Sequence, residues 1–195
     1  LSRIGESQRT TGETDVRVRI NLDGAGSATI STGIGFFDHM LTLFAHHSLI
    51  DLEVEARGDL ETGSHHTVED VGITLGMALA SALGDRAGIE RYGQSLVPMD
   101  ECLGQAAIDV SGRPFLACDV PLPYASIGGF ETDLLEEFLR GLANNARLTI
   151  HLRMLAGSNP HHVIECGFKA VARALRAAVT TNPRMPGVPS TKGSL

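Results

Sequence analysis

With 195 residues, 43% of them hydrophobic and 20% charged, the chain can bury one sizeable core and has an ordinary globular composition. A formal net charge of −7 argues against a nucleic-acid surface, and no apolar run approaches membrane-spanning length. Three cysteines (Cys102, Cys118, Cys166), odd in number and without Cys-x-x-Cys spacing, exclude a disulfide framework; with an opening too polar for a signal peptide, they place the protein in the cytoplasm.

In chain order, residues 14–22 alternate Val16, Val18, Ile20 and Leu22 against polar partners, which predicts a half-buried strand. Asp23-Gly24 is a turn signal, and 27–31 reads as the returning strand of a hairpin. After a Gly-rich break at 32–35, Phe37, Met40, Leu41 and Phe44 form the apolar stripe of a helix over 36–47, with His39 opposite it. A third strand covers 50–56. A loop over 58–64 then leads into a second helix that runs to Leu83, where Gly84–Gly88 stops it.

The second half repeats this order. Strands are predicted over 105–110 and 115–120, joined by the Ser111–Pro114 turn, and a connecting loop spans 121–129. A helix over 132–145 carries Leu135, Phe138, Leu139 and Leu142, and its Glu137 falls where His39 did. A strand over 148–152 and a helix ending at Val179 complete the half. The chain therefore reads as an α+β internal duplication of a β-β-α-β-α unit, with halves 1–93 and 94–195 in one compact domain. Each amphipathic helix pair needs a cover, so helix layer should meet helix layer between two outer sheets.

Both second helices open on one pattern: Ser-His-His-Thr-Val-Glu-Asp at 64–70 and Pro-His-His-Val-Ile-Glu-Cys at 160–166. At helical spacing His65 and Glu69 are an i,i+4 pair, and His66 and Glu69 an i,i+3 pair; His161, His162 and Glu165 repeat this 96 positions later. Adjacent imidazoles point about 100° apart and cannot easily grip one ion together, so the doubled pair suggests two ions, each taking ligands from more than one segment. Imidazole and carboxylate without thiolate suit Mn, Fe, Co, Ni or Zn. Because these groups and His39 face away from the core, an obligate oligomer with metals at its interfaces is expected.

Together with Gly35-Phe36-Phe37-Asp38-His39-Met40-Leu41 and the tail Pro189-Ser190-Thr191-Lys192-Gly193, these motifs closely resemble the imidazoleglycerol-phosphate dehydratase family, from about Thr10 to the C-terminus. The resemblance implies a duplicated fold with two mixed sheets flanking a central helical layer, of the ribosomal protein S5 domain 2-like type. It further implies dehydration of D-erythro-imidazoleglycerol phosphate to imidazoleacetol phosphate in histidine biosynthesis. Two Mn²⁺ per active site and a homo-oligomeric shell of two dozen subunits, with sites between subunits, come with it. In such a reaction no carbonyl neighbours the acidic carbon, so the substrate's imidazole must serve as electron sink, helped by a Lewis acid on its ring nitrogens.

The resemblance carries the metal ligands onto His39, His65, His66, Glu69, His161, His162 and Glu165. An eighth position, often histidine in relatives, is Glu137 here, a departure that still supplies a hard ligand. It places Glu13 as an acid–base group, with Glu69 and Glu165 as alternatives. For the phosphate it points to Arg91, Arg113, Ser190, Thr191 and Lys192, with His47 and Lys169 as weaker substrate contacts. His46, His151 and the cysteines read as structural, and Asp100-Glu101 as a strand-edge charge cluster. Rival readings are a non-catalytic, metal-assembled shell protein and a metallohydrolase of a small phosphate ester.

Overall fold

The structure is a computed structural model describing residues 3–193 and 195. In the first half the elements are β1 (Ile4–Thr10), β2 (Thr14–Asn21), β3 (Ala28–Ser31), α1 (Gly35–Ser48), β4 (Asp51–Gly58) and α2 (His65–Leu83). The second half has β5 (Tyr92–Met99), β6 (Cys102–Asp109), β7 (Phe115–Asp119), a small hairpin β8 (Ser126–Ile127) and β9 (Phe130–Glu131), α3 (Leu134–Ala146), β10 (Thr149–Ala156) and α4 (Pro160–Val179). The strands form two four-stranded sheets, ordered β1-β2-β4-β3 and β5-β6-β10-β7.

Strand alternation does what the sequence predicts. Val16, Val18 and Ile20 of β2 and Leu52, Val54 and Ala56 of β4 are buried, and Val18 pairs with Val54. The opposite face of this sheet is charged, with Arg19 joined to Glu6 at 3.0 Å and to Glu53 at 2.8 Å. The second sheet differs: its outer face exposes Tyr92, Leu96, Phe115 and Leu155.

Helices from opposite halves meet in the middle, α2 against α3 and α1 against α4. A methyl at Gly72 would lie 2.5 Å from the Phe138 carbonyl oxygen, and one at Gly141 would lie 2.9 Å from the Ile73 nitrogen. Where α2 and α3 cross, only glycine fits. Elsewhere the core between the helices is aromatic: Phe138 stacks on Phe168 at 5.2 Å, and Phe37 meets Phe130, Phe138 and Phe168 at 5.5–6.5 Å.

The expected architecture of two mixed sheets around a helical layer is present, with three corrections of detail. First, residues 27–31 do not return on the preceding strand. β3 runs parallel to β4, which lies between it and β2, and β7 likewise runs parallel to β10. The Asp51 carboxylate accepts bonds from the backbone of Ala25 and Ser27, both at 2.9 Å, and so draws the 23–27 turn over to β4.

Second, each half has an extra strand, β1 or β5, so the unit is β-β-β-α-β-α, and the division between 93 and 94 falls inside β5. A methyl on Gly5 would lie 1.9 Å from the Ala78 carbonyl oxygen, and one on Gly93 1.9 Å from that of Ala174. With a helix backbone lying directly on the strand, large inward side chains are excluded, and the alternation that announces a strand is missing. Third, the strand at 148–152, expected to copy the third strand at the same offset of 96 as the His-His motifs, belongs to β10, which aligns with β4 at an offset of 98. The loop at 121–129 also contains β8.

Gly5→Ala and Gly93→Ala should each destabilise the protein by about 1–3 kcal/mol, because overpacking forces the helix off the strand. Gly12→Ala, with nothing within 4 Å of the added methyl, should change little. Urea unfolding of the three variants checks this.

Candidate metal centre and anion site

The first pair sits on the opening turn of α2, which is fastened to the other half where Ser64 Oγ donates to the Gly129 carbonyl. The rings of His65 and His66 stand at 88° with centroids 6.1 Å apart, so they diverge as helical spacing requires. His65 Nε2 lies 3.7 Å from Glu69, and both are exposed. His66 turns its Nδ1 to Asp59, at 3.0 and 3.1 Å from the two carboxylate oxygens, with Glu13 at 3.7 Å from the same nitrogen. The bond from Asp59, and the charges of Glu13 and Glu69, raise the His66 pKa above its ordinary value.

Glu13 is carried to this place by the β1–β2 turn. Its carbonyl accepts from the Asp59 backbone N–H at 3.1 Å. Buried Asp70, from the same seven-residue motif, accepts from Arg9 Nε at 2.9 Å and from Thr14 Oγ1. Those bonds pin the hairpin to α2 on both sides of Glu13.

The second pair opens α4, where the Asn159 side chain caps the His161 N–H and Pro160 occupies the first turn. His161 Nε2 lies 3.3 Å and His39 Nε2 3.8 Å from the same Glu165 oxygen, and Phe36 braces the His161 ring edge-on at 4.9 Å. Lys169 holds the other Glu165 oxygen at 2.7 Å. Burial pushes the Glu165 pKa up, but Lys169, His39 and His161 more than offset it and hold the carboxyl below its ordinary value. His162 Nδ1 donates to Glu101 at 2.9 Å, which raises the histidine's pKa and, with the Asn159 N–H, brings that of Glu101 down to about 2.

Glu101 is therefore no mere strand-edge charge. It bonds the imidazole through one oxygen and, through the other, the backbone N–H of Asn159 at 2.9 Å. Asp59 does not stand out in the sequence, and Glu101 does so only as part of the Asp100-Glu101 charge cluster. One signal could have found Glu101: aligning the two hairpins on Gly5 and Gly93 lays it on Glu13.

Among the described residues, no three such donors come close enough to hold an ion by themselves. Glu137 is half-buried, with Arg140 Nε 3.9 Å away, on the turn of α3 before the Gly141 crossing. His47 lies at the far end of α1; burial first, then the charges of Lys169, His46 and Arg173, lower its pKa. Burial likewise raises the thiols of Cys102 and Cys118, to about 11 and about 12. His151 is exposed on the second sheet beside Phe115.

The cationic residues gather elsewhere. Arg91 grips Asp109 through Nε at 2.7 Å and Nη2 at 3.2 Å, and its Nη1 donates to the Pro189 carbonyl at 2.9 Å. Arg91 thus holds the tail down, and Asp109 occupies the fork that an anion would use. Arg113, 71% exposed and 3.7 Å from Asp109, keeps an open guanidinium. Ser190 and Lys192 form a turn in which Ser190 Oγ accepts from the Lys192 N–H, and Thr191 is exposed. Residue 91 joins the last turn of α4 through the Ala178 carbonyl, whereas Glu101 meets its first turn. The histidines and the cationic group lie at opposite ends of the same helix.

A family model described as imidazoleglycerol-phosphate dehydratase matches residues 32–175. A curated imidazoleglycerol-phosphate dehydratase from Desulforamulus reducens is 56% identical over 195 residues, covering 100% of both chains. The crystal structure of the Staphylococcus aureus imidazoleglycerol-phosphate dehydratase superposes with a TM-score of 0.83 at 42% identity, over 92% of this chain and 99% of that one. The Pyrococcus furiosus structure, in complex with (S)-C348, gives a TM-score of 0.84 at 41% identity, over 96% and 99%.

Arg91→Lys removes the planar fork that serves Asp109 and Pro189 together. The tail should then be cut by trypsin at Arg184 and Lys192 several times faster than in the unaltered protein, as followed by mass spectrometry. Equal rates would mean that Arg91 does not tether it.

Proposed function

The chain belongs to the imidazoleglycerol-phosphate dehydratase family, and from that premise we propose that it is a cytoplasmic hydro-lyase of histidine biosynthesis. Its substrate is D-erythro-1-(imidazol-4-yl)glycerol 3-phosphate and its products are 3-(imidazol-4-yl)-2-oxopropyl phosphate and water. The observation that carries the reading is the doubled donor set: two helix starts, each offering paired imidazoles and a carboxylate, with the second ring of each pair hydrogen-bonded behind by an acid.

That donor set fits two divalent transition ions, Mn²⁺ first among them. His39, His65, His66, Glu69, Glu137, His161, His162 and Glu165 would hold them. Such ions, when bound, supply Lewis acidity to the ring nitrogens of the substrate.

The chain's own groups divide the rest of the work. Glu13 is 56% exposed, and its carboxylate is not taken up by His66, whose Nδ1 prefers Asp59 at 3.0 Å to Glu13 at 3.7 Å. It is the group placed to move the proton from carbon. Glu165, ionised and clamped by Lys169, is committed to holding position. Glu69, whose one ion-pair partner among the described residues is His65 at 3.7 Å, can ligate and is the alternative base. Arg113, Ser190, Thr191 and Lys192 supply donors for the phosphate, and Arg91 orders the tail that brings three of them.

Distance makes this a shared site. α4 has 20 residues, so its two ends are about 30 Å apart. The substrate, one ring and a three-carbon phosphate, cannot touch the histidines at one end and the cationic group at the other. A second subunit must bring its cationic end to the first one's histidines, as in a closed homo-oligomer of 24 copies. The uncovered apolar face of the second sheet (Tyr92, Leu96, Phe115, Leu155) supports association, since a lone chain would leave it in water.

Exhaustive chelation should abolish dehydration of imidazoleglycerol phosphate, and Mn²⁺ should restore it. Full turnover in the chelated protein would refute the metal-dependent reading. Deleting 189–195 should raise KM at least tenfold with a smaller effect on kcat, measured by steady-state kinetics.

A further inference from the structure

Resting on the metal-dependent reading above, we infer that Asp59 and Glu101 are positioning residues that hold His66 and His162 with Nδ1 inward and Nε2 outward as the ligating atom. An ionised carboxylate can only accept a hydrogen bond, so a ring nitrogen within 2.9–3.1 Å of one carries the proton. A neutral imidazole has one proton, which leaves the lone pair on Nε2. Turned the other way, or in the other tautomer, the ring would present an N–H to the ion.

The two halves reach this contact by different routes. Glu101 comes from the β5–β6 turn, and its counterpart in the first half is Glu13. Yet the acid on His66 is Asp59, from the loop after β4, whose counterpart in the second half lies at a glycine, Gly157. The contact is kept while the residue supplying it changes. That is what a functional requirement on ring orientation produces, and a leftover of duplication would show the same residue twice. The exchange also leaves Glu13 unspent, in the half where the family resemblance places the acid–base group.

Glu101→Gln is the decisive variant. The Glu101 oxygen facing Asn159 accepts its N–H at 2.9 Å, so the glutamine oxygen stays there and its NH₂ must face Nδ1. A donor in that place forces the ring proton onto Nε2 and blocks the ligating atom. Metal-free protein is titrated with Mn²⁺, the free ion being followed by its electron spin resonance, and unfolding is measured in EDTA. Affinity at one class of site should fall about 10–100-fold, the usual range for losing such a partner, while the midpoint in EDTA stays near that of the unaltered protein. At the other pair both Asp59 oxygens reach Nδ1, so an asparagine would still offer an acceptor; Asp59→Ala is the matching variant and should lower affinity there.

Unchanged Mn²⁺ affinity in a folded Glu101→Gln protein would overturn the inference and leave the metal-dependent reading standing. If the unaltered protein binds no divalent ion, that reading fails. The ring proton then decides the inference by itself: ¹⁵N spectra of histidine-labelled, metal-free protein, assigned against His162→Asn, should show His162 protonated on Nδ1. Finding it on Nε2 would overturn the positioning role. The same spectrum decides the matter if Glu101→Gln does not fold.

Discussion

At the crossing of α2 and α3, Gly72 and Gly141 bring two backbones into contact, so close that a methyl at either would strike the other helix within 3 Å. The two helices run in the same direction there, since Gly72 faces Phe138 and Gly76 faces Leu142 and Asn145. Their first turns consequently emerge at the same end of the molecule. α1 and α4 repeat the arrangement, with His39 and His161 both on Glu165. With the inward faces fully used in packing, the polar first turns point outward, and the donors cannot be gathered into an enclosed cage within one chain. Packing of the helical layer thus dictates where the paired histidines and their carboxylates lie, and on the proposed reading a second subunit is needed to complete an ion's coordination.

The duplication supplies this frame twice, and function has broken its symmetry at a few positions. His39 corresponds to Glu137, Asp70 to Cys166, and Glu13 to Glu101. Asp70 accepts from Arg9 and Thr14 and so fixes the Glu13 hairpin, whereas Cys166 only donates weakly to the Val97 carbonyl at 3.2 Å. Glu101 is spent on His162 and on the loop before α4, whereas Glu13 keeps an open carboxylate. One half's turn is thereby a support, and the other's leaves its carboxylate open for the acid–base role proposed for it. Net attraction between exposed pairs such as Arg19 and Glu53 is worth little; the core and the close helix contacts carry the fold.

Much of this was legible in the sequence. The four helices, the inner strands and the His-His-x-x-Glu repeats follow from periodicity and spacing, because those elements bury regular apolar faces. The edge strands β1 and β5 were not legible, because Gly5 and Gly93 stand where an apolar residue would have marked them. The parallel pairing of β3 and β7 was hidden as well: for β3 it depends on Asp51 drawing the 25–27 turn across the sheet, a contact over two dozen residues that local patterns do not encode. At the site, ligand-type residues announced themselves by repetition. Their supporting acids did not, since Asp59 and Glu101 approach the histidines only once the chain is folded. Arg91 was expected as a phosphate contact and not as the tail's tether, because Asp109 and the Pro189 carbonyl share its guanidinium only in three dimensions.

The separation of the histidines from the cationic end by the length of α4 is tested most directly by mixing subunits. His161→Ala damages one end of the chain and Arg113→Ala the other, and each variant oligomer should be strongly impaired. When the two chains are dissociated and reassembled together, sites that take intact histidines from one and an intact Arg113 from the other should form. Mixed assemblies should then regain activity that neither parent has. Activity no greater than the average of the two parents would show that each site belongs to a single chain, and would contradict a shared one.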